Sequence, residues 1–100
     1  LRKVGYGKIE VPDEEVIRLV ADRFFMSVEE MMSASHKPRV VTARAVAMWV
    51  MRQAKGYSFP KIGRVFGRNH STVLFACRQV ERHNLLTAHD IYREILHHAS

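Results

Sequence analysis

Residues 66–81 read FGRNHSTVLFACRQVE, and the order of chemistry along this stretch decides the fold. A polar turn comes first. Four hydrogen-bonding side chains follow, Asn69, His70, Ser71 and Thr72, and then Val73, Ala76, Cys77 and Val80 recur at helical spacing. The pattern predicts a helix from Asn69 or His70 to His83 that is polar at its start and apolar along its buried face. Just upstream, Ser58 has the chemistry of an N-cap for a short helix over 59–66. Pro60 falls in that helix's first turn, where no backbone donor is needed, and Gly67 ends it. Two helices joined by the tight Gly67-Arg68 turn form the outline of a helix-turn-helix. In that motif the second helix enters the major groove with its N-terminal residues on base edges, which explains a polar start and an apolar continuation.

Working outward, Ala43, Val46, Ala47, Val50 and Met51 predict a long third helix from about Val41 to Ala54, stopped by Gly56 as a C-cap. The preceding segment SASHKPRVVTAR, residues 33–44, is polar, basic and interrupted by Pro38, so it reads as a loop. Further back, Val16, Ile17, Val20 and Phe24 mark a first helix, 13–24, with Asp13 as its N-cap and Glu14 and Glu15 in its first turn. Ser27 and Glu30 have capping-box spacing and predict a short second helix over 28–33. A sixth helix is expected from a Thr87 cap through Ile91, Ile95 and Leu96. No segment alternates at period two, so the fold class is all-α with six helices. Residues 1–11 read as a leader or linker, and 12–100 as one domain.

The totals agree with one small domain. One hundred residues, 47% of them apolar, suit a single core. Sixteen Lys and Arg against ten Asp and Glu leave a charge of +6, which favours a polyanionic partner over acidic-substrate chemistry. The lone Cys77 has no intramolecular disulfide partner, and LRKVGYGKIE lacks the apolar core of a signal peptide. No apolar run approaches a membrane span. A cytoplasmic, nucleoid-associated protein is expected, with neither a membrane nor a small-molecule substrate as partner.

Catalysis and cofactors find little support. Cys77 and His70 lie seven residues apart on one predicted helix, about 10 Å by rise, too far for proton transfer. A phosphate loop at Gly7-Lys8 would need glycine where Arg2 stands and Ser or Thr where Ile9 stands. The six histidines show no zinc-ligand spacing, and surface histidines account for them better than a metal. We expect no enzyme, no metal and no cofactor in this chain.

Residues 62–78, IGRVFGRNHSTVLFACR, closely resemble the signature of the C-terminal DNA-binding domain of the bacterial replication initiator DnaA. Ile-Gly, the Phe-Gly turn, Arg-Asn-His-Ser-Thr-Val and Ala-Cys-Arg occur in order at matching spacing. A weaker likeness extends over about 12–98. The resemblance implies a six-helix, Trp-repressor-like helix-turn-helix that binds the asymmetric DnaA box in double-stranded DNA during replication initiation. Helix 69–83 would lie in the major groove and the basic loop 36–40 near the minor groove. Carried onto this chain, Asn69, His70 and Ser71 would contact bases, and Thr72 base or phosphate. Pro60 would touch a thymine methyl or the nearby backbone. His36, Lys37, Arg39, Arg44, Arg52, Arg68 and Arg78 would serve the backbone or the minor groove. An ATP-binding domain would lie in a longer parent chain.

The chain departs from the family pattern at four places. Its turn is one residue shorter than the common form with two glycines, and Asn69 stands where aspartate is usual. Phe75 occupies a position often polar or His. The loop's run of arginines is thinned to His36, Lys37 and Arg39, with His36 at the position of a minor-groove arginine. Two other functions suit the same fold: a transcriptional regulator or nucleoid-binding protein that uses the same chemistry, and an interaction module for replication proteins. The last would depend on an apolar patch rather than on 68–72.

Overall fold

A computed structural model describes residues 10–99 of the chain. Six helices follow one another: α1 (Asp13–Arg23), α2 (Val28–Met31), α3 (Pro38–Lys55), α4 (Phe59–Phe66), α5 (His70–Arg82) and α6 (Leu86–Ala99). Most of the leader predicted over 1–11 lies outside the described residues. Helix α3 is the central rod, and each of the other five packs against it. Val46, Ala47, Val50, Met51 and Ala54 are fully buried along it, with Val16, Val20, Ile62, Val73 and Ile91 closing in from four sides. Each large aliphatic side chain withdrawn from water in this way contributes about 1.5–3 kcal/mol before chain entropy is subtracted. Trp49 is 4% exposed, meets His89 and Tyr92 edge-on, and donates its indole N–H to Glu81 at 3.3 Å.

Two helix starts and one cap differ from the sequence expectation, each for a physical reason. Helix α3 begins at Pro38 rather than Val41, because a proline at the first helical position lacks only a donor that would be unpaired anyway. The loop therefore shrinks to about 32–37, and Arg39 stands in the first turn of α3. Asp13 is not a cap: Pro12 precedes α1 without a side-chain cap, and the Asp13 carboxylate accepts hydrogen bonds from Lys55 Nζ at 2.7 Å and Tyr57 Oη at 2.8 Å. Lys55 also donates to the Val11 carbonyl, so the start of α1 is tied to the end of α3. Thr87 lies inside the first turn of α6, which starts at Leu86 with Leu85 accepting from Ala88 N. The caps at Ser27, Ser58 and Gly56 fall where the sequence placed them, Ser27 and Ser58 accepting from Glu30 N and Lys61 N.

Helices α4 and α5 are set by two glycines. Gly67 ends α4 with φ of +66°, a left-handed conformation that costs a Cβ-bearing residue about 1 kcal/mol or more. Gly63 allows the turn to fold back onto α4: its carbonyl accepts from Arg68 N at 2.8 Å, and a Cβ built on it would lie 2.5 Å from the Arg68 oxygen. The angle between the two helices thus depends on a missing side chain.

Candidate nucleic-acid interface

At the start of α5, Asn69 has extended backbone angles and its Oδ1 accepts from Ser71 N at 2.7 Å. This satisfies one donor of the new helix, and it orients the amide: the oxygen faces the backbone, leaving the NH2 as the outward end of the side chain. His70, Ser71 and Thr72 are all exposed beside it, while Val73 is fully buried directly beneath. Phe75, Arg78 and Arg82 continue the exposed face along the helix. Pro60 is exposed in the first turn of α4. The fold therefore brings Asn69, His70, Ser71 and Thr72 together on one exposed helical turn.

The cations behave differently. Arg44 is 7% exposed, and its guanidinium donates to the carbonyls of Met31 at 2.9 Å, Ser33 at 3.0 Å and Ser35 at 2.9 Å. Arg68 donates to the Phe66 carbonyl and, at 2.8 Å, to Ser33 as well. Arg39 reaches back to the carbonyls of Phe24 and Phe25 at the end of α1, where the helix dipole favours a cation. Arg52 bonds the Tyr57 carbonyl and stacks over Phe59, 4.4 Å from the ring centroid. Four guanidiniums expected on the DNA side thus bond main-chain carbonyls of the protein itself, Arg44 from a buried position, Arg52 and Arg68 from half-buried ones and Arg39 from an exposed one. Lys37 and Arg78 remain exposed, as does His36 in the loop.

Ser33 is the joint of this arrangement. Its carbonyl accepts from both Arg44 and Arg68, its hydroxyl donates to Glu30 O at 2.6 Å, and the same oxygen accepts from Ser35 N. The loop before α3 is thereby fastened to the turn before α5. Burial, and then the neighbouring Arg68 charge, push the Arg44 pKa below the usual arginine value, although a guanidinium so placed keeps its proton. No sequence spacing announces this joint, because it connects residues 33, 44 and 68 through carbonyls that every residue type carries. The one visible signal was Gly63 in the Ile-Gly pair, whose reason is the contact with Arg68.

Beneath α5, burial pushes the Cys77 thiol up to about 12, with Glu81 adding to the rise and Arg52 opposing it. At neutral pH the thiol is protonated and serves packing rather than nucleophilic chemistry. Among the described residues no group of three or more His, Cys, Asp or Glu could hold a metal ion, and no helix is long and apolar enough to cross a membrane.

Comparison with known proteins gives the same picture of the domain. A sequence profile described as the bacterial dnaA protein helix-turn-helix matches residues 14–80. The chromosomal replication initiator protein DnaA of Thermus thermophilus is 40% identical over 75 residues, which cover 74% of this chain and 17% of that protein. DnaA of Nostoc sp. (strain PCC 7120) is 39% identical over 74 residues, 73% of this chain and 16% of the initiator. DnaA of Synechocystis sp. (strain PCC 6803) is 38% identical over a stretch of the same length. The matched region spans about a sixth of the length of these curated relatives.

Proposed function

The chain belongs to the bacterial DnaA helix-turn-helix family, and from that premise we propose that it binds a specific double-stranded DNA site resembling a DnaA box, in the initiation of replication or its control. The observation that carries this reading is the exposed turn Asn69-His70-Ser71-Thr72 standing on a fully buried Val73. In this reading α5 lies in the major groove. His70 and Ser71 contact base edges, Thr72 base or phosphate, and Pro60 the adjacent thymine methyl or backbone. His36 and Lys37 approach the minor groove from the loop. Lys37 and Arg78 hold phosphates directly; Arg39, Arg52 and Arg68, bonded to carbonyls of the protein, add positive charge. Arg44 acts by shaping the loop.

Asn69 bears on which sequence is preferred. Because its oxygen is spent on the cap, the end facing DNA donates hydrogen bonds. An aspartate at the same place would cap equally well and present a second acceptor. The expected shift is away from a base edge that donates, such as cytosine N4, toward one that accepts, such as guanine O6 or thymine O4. The ATP-dependent work of an initiator would fall to another domain of a longer chain.

In vitro selection of bound duplexes from a random pool tests the proposal. The expected product is one enriched asymmetric site, lost on His70→Ala at a cost of about 1–3 kcal/mol while binding to random duplex persists. With about five phosphates neutralised, log affinity should fall against log salt with a slope of about −4 to −5. An unenriched pool together with a slope near zero overturns the proposal.

A further inference from the structure

The corner between α1 and α2 carries the most exposed large apolar side chain among the described residues, Phe25, which is 89% exposed. On another part of the surface, a groove of about 630 Å³ runs between α3 and α5, with Val41 and Phe75 among its walls. We propose that Phe25 of one copy of this chain seats in the α3–α5 groove of a second copy. The contact itself stands apart from the DNA-binding reading, and only its consequence for DNA rests on that reading.

Phe25 is held where phenylalanine is disfavoured. It follows α1 with φ of +58°; its N–H bonds the Asp22 carbonyl at 3.1 Å and that of Met26 bonds the Ala21 carbonyl at 3.0 Å. This pairing closes a helix with a left-handed residue, usually glycine. Gly56 and Gly67 fill the same conformation after α3 and α4. A ring so exposed gains almost no packing within its own chain to offset the strain, so its benefit lies in a contact outside the molecule.

Charge selects the second copy as the occupant. Asp22 and Glu29 flank Phe25 in the chain, both exposed, and neither forms an ion pair among the described residues. The cations of the same corner are engaged, Arg23 with Glu94 and Arg39 with the carbonyls of Phe24 and Phe25. The corner therefore presents an apolar knob between carboxylates, which a polyanionic duplex would repel. The groove is its complement: Phe75 is 64% exposed and Val41 42% exposed, Met48 forms a buried floor, His36 and Arg68 stand among the lining, and no aspartate or glutamate does. Its volume suits a seated side chain with its neighbours. One chain thus carries both halves of a head-to-tail contact. Because Arg68 and Thr72 line the groove beside the recognition turn, a seated neighbour covers that turn, and copies free of DNA mask one another.

Sedimentation equilibrium of the whole chain tests the contact. For so small an interface, the average mass should climb above the monomer's 11.6 kDa between about 10 μM and 1 mM, less so in high salt. Phe25→Gly should stay at monomer mass throughout and melt no lower than the wild type, since glycine suits the left-handed position. Val41→Glu, which the helix dipole tolerates in the first turns of α3, sets a carboxylate against Asp22 and Glu29 and should also stay monomeric. So should the double variant Asp22→Lys, Glu29→Lys. Mixing that double variant with Val41→Glu should restore association, the knob coming from one and the groove from the other, which no loss of folding could imitate. Wild-type protein that remains monomeric at 1 mM overturns the proposal, as does Phe25→Gly associating like the wild type, or a mixture that stays monomeric. An equimolar amount of the selected duplex should disperse the assemblies to one chain per duplex. Assemblies that bind the duplex and persist overturn the seat in the groove while the DNA-binding reading stands. Failure to bind any duplex removes that reading alone, and the mass measurements then decide the contact by themselves.

Discussion

The first turn of α5 and the loop 33–37 converge through the Arg68–Ser33 hydrogen bond, yet they use polar side chains in opposite directions. At the turn the side chains are short. Asn69 satisfies the helix from its own position, and His70, Ser71 and Thr72 stay outside. At the loop the nearby arginines are long enough to reach several carbonyls, and Arg44 and Arg68 turn inward to collect them. Formal charge near a DNA-binding surface therefore overstates the charge that faces DNA. A guanidinium with five donors is also the best available partner for main-chain oxygens that a loop leaves unpaired.

The comparison breaks hardest at the glycine that lets turn and helix meet. Gly63→Ala places a methyl 2.5 Å from the Arg68 carbonyl oxygen, where only backbone movement gives relief. It should lower stability by about 2–4 kcal/mol and abolish specific binding; thermal melting and gel shift read the two effects, and an unchanged melt would show that the turn yields easily. Next comes the joint itself. Arg44→Lys keeps the charge but cannot span three carbonyls, so it should cost about 2–3 kcal/mol in denaturant unfolding and weaken specific and scrambled DNA alike. Arg78→Ala on the exposed side should leave unfolding unchanged and lower the salt slope by about 0.9.

Asn69 sharpens the comparison from the other side. Asn69→Ala removes the cap at a cost of about 1 kcal/mol, while Asn69→Asp keeps it, so stability should separate the two variants. Repeating the duplex selection with Asn69→Asp should move one base of the enriched site toward a donor edge. The smallest effect is expected far from both regions. Burial works to raise the Asp13 carboxyl, but hydrogen bonds from Lys55 and Tyr57 outweigh it and hold its pKa below the usual 3.8. That contribution is present above the unfolded value and is lost as pH falls through the lower folded one. Asp13→Asn should therefore be less stable than the wild type at neutral pH, the gap should close in acid, and DNA affinity should not change.

Much of the fold was legible because its signals are local. Ser58, Gly67 and Asn69 each act within a few residues of themselves, so the boundaries of α4 and α5 could be read within a residue or so. Where a local rule had two outcomes, the reading went astray: Pro38 can break a helix or open one, and only its place at the head of a continuous buried stripe on α3 makes it an opener. Asp13 likewise has the chemistry of a cap, but Lys55 and Tyr57, more than forty residues away, take its carboxylate.

The sequence by itself determined the all-α class, the helix-turn-helix and the exposed identity of residues 69–72, because periodicity, capping and turn chemistry depend on neighbours along the chain. It also carried the family, in the run from Ile62 to Arg78. Tertiary structure alone decided which cations face outward, how the loop before α3 is fastened to the turn before α5, and that Phe75 and Val41 border one groove. Those outcomes turn on the reach of a guanidinium across space and on the meeting of helices α3 and α5, whose facing residues lie about thirty positions apart in the chain.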